Sequence, residues 1–240
     1  MQKTIGSLYV CGTPIGNLQD CTERLKKILS SVDIIAAEDT RKAQILLAHF
    51  DIKKKCISLE KYNESKRINY LKELLLEGKN IALISEAGTP NIADPGAYLI
   101  DNLLQENIKI IPIPGVSSVT TLLSIAGVLA NQFIFLSFCP KKKAQLEKHI
   151  KLAEETNMPL IYFETGKRLL KTLALLNEID SEIYLFLAKE LTKIHERYFR
   201  GNIMEITAQL ENTSLKGEWC FLLKTAKTTT KKIKKGSPQK

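Results

Sequence analysis

The sequence contains no long apolar segment. Nowhere do its 240 residues approach the roughly 20 consecutive apolar positions that span a bilayer. The first residues, MQKTIGSLYVCGTP, also lack the apolar stretch and the small-residue cleavage site of a secretory signal. We therefore expect no membrane segment and predict a cytoplasmic protein.

Cysteine and histidine are scarce, with five and three copies. The cysteines are widely spaced, without a CxxC pair or a histidine at zinc-ligand spacing, so we predict reduced cysteines and no metal site. The chain has neither GxGxxG nor GxxxxGK[ST], which argues against nucleotide triphosphate hydrolysis. One feature favours a dinucleotide-binding site. Glu38 and Asp39 follow the first glycine loop by about twenty residues, where an acid that binds the ribose would lie.

Lysine is abundant, and its distribution is uneven. Residues 224–240 contain seven lysines and no acid, so the tail holds most of the net charge of +9. Segments of this composition are usually disordered, and we predict a disordered basic tail at 225–240. Such a tail either solubilises the protein or contacts RNA phosphates.

Short apolar strands alternate with amphipathic helices through the first half of the chain. This pattern predicts an α/β protein with a parallel sheet in an N-terminal domain, residues 1–114. After Pro114 the strands are longer and more aromatic, which predicts a mixed sheet in a C-terminal domain, residues 115–224.

Three loops rich in glycine and proline each follow a predicted strand and precede a helix. They are GTPIGN at 12–17, SEAGTPNIADPG at 85–96 and PGVSS at 114–118. In an open α/β sheet this places them at the carboxyl ends of the strands, where ligands bind. Each loop alone could be a plain turn. Together they predict a cleft in which main-chain groups hold a ligand, because glycine permits close approach and proline stiffens the loops.

Five ordered motifs carry a resemblance to a known family. TPIGNL at 13–18, IAAEDTRK at 35–42, AKELTKIHE at 188–196 and the second and third loops together resemble the tetrapyrrole methylase superfamily. They are most similar to its RsmI-type enzymes, which methylate a cytidine ribose 2′-oxygen in the 16S RNA of the small ribosomal subunit. The resemblance implies a two-domain class III methyltransferase fold, a homodimer, and S-adenosyl-L-methionine held between the domains.

The resemblance also implies which residues contact the cofactor. Carried over motif by motif, these are Pro14, Ala87, Gly88, Thr89, Ile92, Ser117, Ser118, Glu164, Leu191 and Thr192.

Three motifs depart from the pattern of the RNA-modifying members. Glu86 replaces an aspartate, EKYNE at 60–64 replaces a histidine-rich stretch, and FETGKR stands at 163–168 where a serine and a histidine are usual. These positions lie near the presumed acceptor side. A tetrapyrrole or another small acceptor is therefore one alternative, and a ribosome-associated binding protein without catalysis is another.

A ribose hydroxyl is a poor nucleophile when neutral, so the chemistry needs a proton acceptor or a stabilising cation. Glu38, Asp39 and Arg41 form the first candidate group, with a local ion pair as the structural alternative. Glu190 and Lys193 form the second, with an ion pair between the domains as the alternative.

Overall fold

The computed structural model describes residues 4–59 and 64–225. It divides into two compact units, Met1–Ser118 and Val119–Lys240. The lysine-rich tail from residue 226 onward and residues 60–63, which include most of the EKYNE motif, lie outside the described residues. Within the described part, no helix is both long enough and apolar enough to cross a membrane.

The first unit is built on a five-stranded parallel sheet with the order β3-β2-β4-β1-β5. Its strands are β1 (Leu8–Cys11), β2 (Ile34–Ala37), β3 (Lys55–Ser58), β4 (Ile81–Ile84) and β5 (Ile110–Ile113). Its helices are α1 (Glu23–Ser31), α2 (Thr40–His49), α3 (Glu64–Leu76) and α4 (Ala97–Gln105). The helix α5 (Ser118–Ile125) begins at the boundary between the units.

Both faces of this sheet are covered, as a parallel sheet requires. One face packs against α3 and α4, and the other against α1 and α2. The three inner strands β1, β2 and β4 are correspondingly apolar, and every residue of β2 and β4 is buried.

Helix α1 follows a short 3-10 turn, Leu18–Asp20, and has its own cap. The cap is Thr22, whose hydroxyl oxygen accepts a hydrogen bond from the backbone of Leu25 at 3.0 Å. A threonine at the N-cap satisfies one of the unpaired amides of the first turn.

The second unit contains a mixed five-stranded sheet with the order β6-β7-β10-β8-β9. Its strands are β6 (Ile134–Phe138), β7 (Leu160–Thr165), β8 (Tyr184–Lys189), β9 (Arg197–Asn202) and β10 (Glu218–Lys224). Its helices after α5 are α6 (Lys143–Thr156), α7 (Gly166–Ile179) and α8 (Ile203–Leu210). Strands β6 and β7 are parallel, whereas β10 runs antiparallel to β7 and β8.

These two sheets confirm the predicted α/β class, with a parallel first sheet and a mixed second one. The core of the second unit gathers α6, α7 and α8 around buried side chains of β7, β8 and β10, among them Trp219 and Phe221.

The sequence pattern did not predict β3, β9 or α8. Strand β3 begins at the last of three consecutive lysines, and β9 exposes four of its six residues because it lies at the sheet edge. Helix α8 has a local signal in Asn202 and Glu205, which form a capping box.

Candidate functional site

The order of the strands locates a crevice in the first unit. Strands β1 and β4 are neighbours, but α1 packs on one face of the sheet and α4 on the other. The chain therefore leaves the two strands in opposite directions, which defines a topological switch point with room for a ligand at the carboxyl ends. The loops at 12–17 and 85–96 begin there.

The first two loops are joined by main-chain hydrogen bonds. The amide of Thr13 donates to the carbonyl of Gly88 at 2.8 Å, and the amide of Gly88 donates back at 3.2 Å. The buried hydroxyls of Thr13 and Ser85 also lie 3.3 and 3.4 Å from that carbonyl. This pairing fixes the floor of the crevice before any ligand binds.

The first and third loops touch through two glycines. A Cβ on Gly12 would lie 2.8 Å from the nitrogen of Gly115, and a Cβ on Gly115 would lie 2.5 Å from the carbonyl oxygen of Gly12. Backbone atoms meet here without an intervening side chain. All three loops predicted from the sequence thus converge at one edge of the sheet, bringing together Pro14, Ala87, Gly88, Thr89, Ile92, Ser117 and Ser118.

The second loop carries backbone strain. Asn91 and Ala93 both have φ of 70°, in the left-handed region, and both are exposed. An alanine in this conformation costs roughly 1–2 kcal/mol. Strain of this kind persists where the surroundings impose it, and it clusters at ligand sites.

A group of carboxylates lies beside the second loop. An Oε of Glu38 accepts a hydrogen bond from the amide of Glu86 at 3.3 Å, and Lys42 forms an ion pair with Glu86 at 2.5 Å. Asp94 is half-buried near both glutamates. Burial, and next the charge of Glu38, raise the pKa of Asp94 to about 6, against an opposing contact from the Ser85 hydroxyl.

Asp94 was not singled out from the sequence. It is one of several polar residues in the second loop, and only its proximity to Glu38 and Glu86 distinguishes it. A carboxyl group with a pKa near neutrality suits general base catalysis.

Asp39 and Arg41 are engaged with each other. Asp39 caps α2 by accepting from the amide of Arg41 at 2.8 Å, and it also accepts two hydrogen bonds from the guanidinium. These hydrogen bonds lower the pKa of Asp39 to about 2. The catalytic role of Glu38, Asp39 and Arg41 stays a prediction, while the local pair explains how the latter two shape the start of α2.

Glu190 and Lys193 form an ion pair within the second unit, and this corrects the structural alternative of an ion pair between the domains. The ammonium of Lys193 lies 3.1 Å from Glu190 and 2.7 Å from Glu218 at the start of β10. Burial raises the pKa of Glu190, but hydrogen bonds from the Glu218 amide and Lys193 outweigh it and leave the pKa below its ordinary value. Glu218 joins this pair because β8 and β10 are neighbouring strands. A catalytic role for Glu190 and Lys193 stays a prediction.

The loop after β8 presents an unsatisfied polar atom. Glu190 and Thr192 have φ of 52° and 67°, on either side of the buried Leu191. The hydroxyl of Thr192 is buried and has no hydrogen-bond partner among the described residues. Buried polar atoms are nearly always satisfied. This orphan hydroxyl fits a ligand with polar groups, and S-adenosylmethionine has them.

Glu164 lies near the end of β7, and its side chain is fully buried. Its oxygens accept hydrogen bonds from the amide of Thr165 at 2.8 Å and the hydroxyl of Thr172 at 2.7 Å, and Arg168 lies 3.3 Å away. This carboxylate links β7 to α7. Its assignment as a cofactor residue stays a prediction.

We expect Glu164→Ala to lower the free energy of unfolding by about 1.5–3 kcal/mol, because it removes a buried carboxylate that accepts hydrogen bonds from Thr165 and Thr172. Glu164→Gln should cost less, because the amide oxygen still accepts from Thr165 or Thr172. Urea denaturation checks both values. Glu147→Ala on the exposed surface of α6 serves as the control. A change below 1 kcal/mol for Glu164→Ala would contradict the linking role.

Metal binding has no structural support in the described ranges, where no group of three or more His, Cys, Asp or Glu side chains is arranged to hold an ion. The five cysteines are free thiols, and Cys11, Cys139 and Cys220 are buried.

Comparison with known proteins identifies the family. The family model for tetrapyrrole (corrin/porphyrin) methylases matches residues 7–207. In the solved structures, uroporphyrin-III C-methyltransferase from Thermus thermophilus, complexed with S-adenosylhomocysteine, has a TM-score of 0.61 at 15% identity over 90% of this chain and 97% of its own. That likeness concerns the fold, which is a methyltransferase fold.

Two curated relatives are closer in sequence. Ribosomal RNA small subunit methyltransferase I from Thermotoga maritima is 39% identical over 91% of this chain and 98% of its own length. The protein of the same name from Pasteurella multocida is 41% identical over 93% of this chain and 80% of its own. This chain belongs to the tetrapyrrole methylase family and, within it, to the group of these ribosomal RNA methyltransferases. The predicted S-adenosylmethionine-dependent methyltransferase activity is thereby confirmed.

Proposed function

We propose that this enzyme transfers the methyl group of S-adenosylmethionine to the ribose 2′-oxygen of a cytidine in 16S ribosomal RNA. The observation that carries the proposal is the convergence of three glycine- and proline-rich loops at the switch point of a parallel sheet. The names of the curated relatives support ribosomal RNA of the small subunit as the acceptor.

The first-unit loops are proposed to hold the cofactor mainly through main-chain groups. Gly88 belongs to the hydrogen-bonded floor with Thr13, and Pro14 and Thr89 directly follow these two bridged residues. From the second unit, Leu191 is proposed to contribute an apolar contact and Thr192 its orphan hydroxyl. The remaining cofactor contacts proposed are Ala87, Ile92, Ser117 and Ser118.

The cofactor, when bound, supplies a methyl group already activated by its sulfonium. The residues of this chain must align the acceptor oxygen and take up its proton. Alignment is worth roughly 7–11 kcal/mol of the barrier. We assign proton uptake to Glu38 and Asp94, whose carboxylates lie together at the carboxyl edge of the sheet.

The Glu190–Lys193–Glu218 network is proposed to position Thr192. The amide of Lys193 donates to the carbonyl of Glu190 at 2.9 Å, and the amide of Thr192 donates to Glu196 at 2.9 Å. These contacts hold the left-handed backbone on both sides of Leu191 and so fix the direction of the Thr192 hydroxyl.

The acceptor is tested in cells. Small-subunit RNA from a strain lacking this protein should contain one cytidine 2′-O-methyl group fewer than wild-type RNA, measured by nucleoside mass spectrometry. Purified protein with S-adenosylmethionine should restore that group on isolated small subunits or their RNA. An unchanged nucleoside profile in the deletion strain would refute the proposed acceptor.

We further propose that the enzyme works as a homodimer in the cytoplasm, as the family resemblance implies. Sedimentation of the purified protein should give twice the chain mass of 27.0 kDa. A monomer at micromolar concentration would contradict the dimer.

A further inference from the structure

Four lysines lie near the starts of two helices in the second unit. All four are exposed, and within the described part of the chain none of them forms an ion pair. We call this set the lysine surface, and it consists of Lys141, Lys142, Lys167 and Lys171.

A hydrogen bond ties the two segments that carry these lysines. The guanidinium of Arg168, in the first turn of α7, donates to the carbonyl of Cys139 at 2.6 Å. Cys139 directly precedes the segment that leads into α6. Arg168 is itself neutralised by the buried Glu164, and Lys143 by Glu178 at 2.9 Å, so neither is counted in the lysine surface.

Two of these positions, Lys142 and Lys167, are unfavourable for cations in the protein alone. The amino-terminal end of a helix carries partial positive charge and favours acids. Lys142 nevertheless occupies the N-cap of α6 without capping it, and neither α6 nor α7 has an acid in its first turn. Stability does not account for this placement. A polyanion bound at the surface would offset the repulsion.

We propose that the lysine surface binds phosphates of the ribosomal RNA substrate. This inference rests on the proposed function, and it assigns RNA contact to the second unit. Release of counterions from the RNA backbone makes such contacts strongly dependent on salt.

The test is a double variant, Lys142→Asp with Lys167→Glu, in the full chain. Titration of a small-subunit RNA transcript should show affinity lower on the order of tenfold. The slope of log affinity against log salt concentration should become shallower by about one for each lysine removed. Aspartate is a preferred N-cap residue, so the thermal midpoint should stay the same or rise. Loss of RNA binding together with a higher midpoint separates the effect from unfolding.

The control Lys27→Glu with Lys53→Glu makes the same change of net charge at exposed positions of the first unit, and it should leave RNA affinity unchanged. A second pair, Lys141→Gln with Lys171→Gln, should weaken binding without reversing any charge. Wild-type affinity and salt dependence in both lysine-surface variants would overturn the inference while the proposed function stands. A wild-type protein that binds no small-subunit RNA would overturn the proposed function as well.

Discussion

Gly12→Ala should lower the rate of methyl transfer about 100-fold and weaken S-adenosylmethionine binding with it. The added methyl group would lie 2.8 Å from the nitrogen and 2.9 Å from the Cα of Gly115. Carbon atoms prefer separations of about 3.5–4.0 Å, so the first and third loops must move apart by roughly 1 Å. A displacement of about that size can cost about 100-fold in rate.

The effect of Gly12→Ala is measured by calorimetric titration with S-adenosylmethionine and by methyl transfer to small-subunit RNA. Overpacking should also reduce the free energy of unfolding by about 1–3 kcal/mol. Gly127→Ala is the control, because Gly127 has φ of 64° but a Cβ there meets nothing within 4 Å. Gly127→Ala should lose a comparable amount of unfolding free energy through backbone strain, but it should keep its affinity for S-adenosylmethionine. Wild-type affinity in Gly12→Ala would show that the contact between the loops does not shape the site.

Asp94→Asn should reduce the rate of methyl transfer by about 10²- to 10⁴-fold, the usual contribution of a general base. In the wild-type protein the pKa of Asp94 is raised to about 6, mainly by burial. Below that pH the carboxyl group holds a proton and cannot accept another. Activity should therefore rise with pH through about 6 and level off above it, and the variant should lose this limb of the profile.

Stability gives an independent readout for Asp94. The folded protein binds this proton more tightly than the unfolded chain, because the pKa of Asp94 rises from 3.8 to about 6 on folding. The free energy of unfolding therefore falls as pH rises from 3.8 to about 6, where Asp94 becomes charged. Asp94→Asn should thus unfold at a slightly higher temperature than wild type at pH 7.5. The exposed Asp101→Asn on α4 is the control. Wild-type turnover in Asp94→Asn would remove it from catalysis.

The loops of the first unit could be predicted because their signals are local. Glycine and proline act on their own backbone, and the strand–loop–helix order already places each loop at the carboxyl edge of a parallel sheet. The contact between Gly12 and Gly115 is different, since it joins residues a hundred positions apart and depends on β1 and β5 being neighbours.

The candidate charged residues were harder to interpret from sequence. Glu190 and Lys193 are three residues apart, but their shared partner Glu218 comes from a distant strand. Glu164 stands in a recognisable motif, yet its contacts with Thr172 and Arg168 depend on how α7 follows β7. Contacts between charged side chains depend on how the elements pack, and the spacing of residues along the chain does not reveal that packing.

The sequence alone determined the α/β class, a parallel sheet followed by a mixed one, the three loops and, through its motifs, the family. Hydrophobic periodicity and turn residues act over a few positions, which is why they can be read directly. Only the tertiary structure brought Asp94 beside Glu38, left the Thr192 hydroxyl unsatisfied and tied the lysine-bearing segments together through Arg168. Burial and proximity decide these features, because a carboxyl group changes its pKa and a hydroxyl loses its partner only when the folded chain removes them from water.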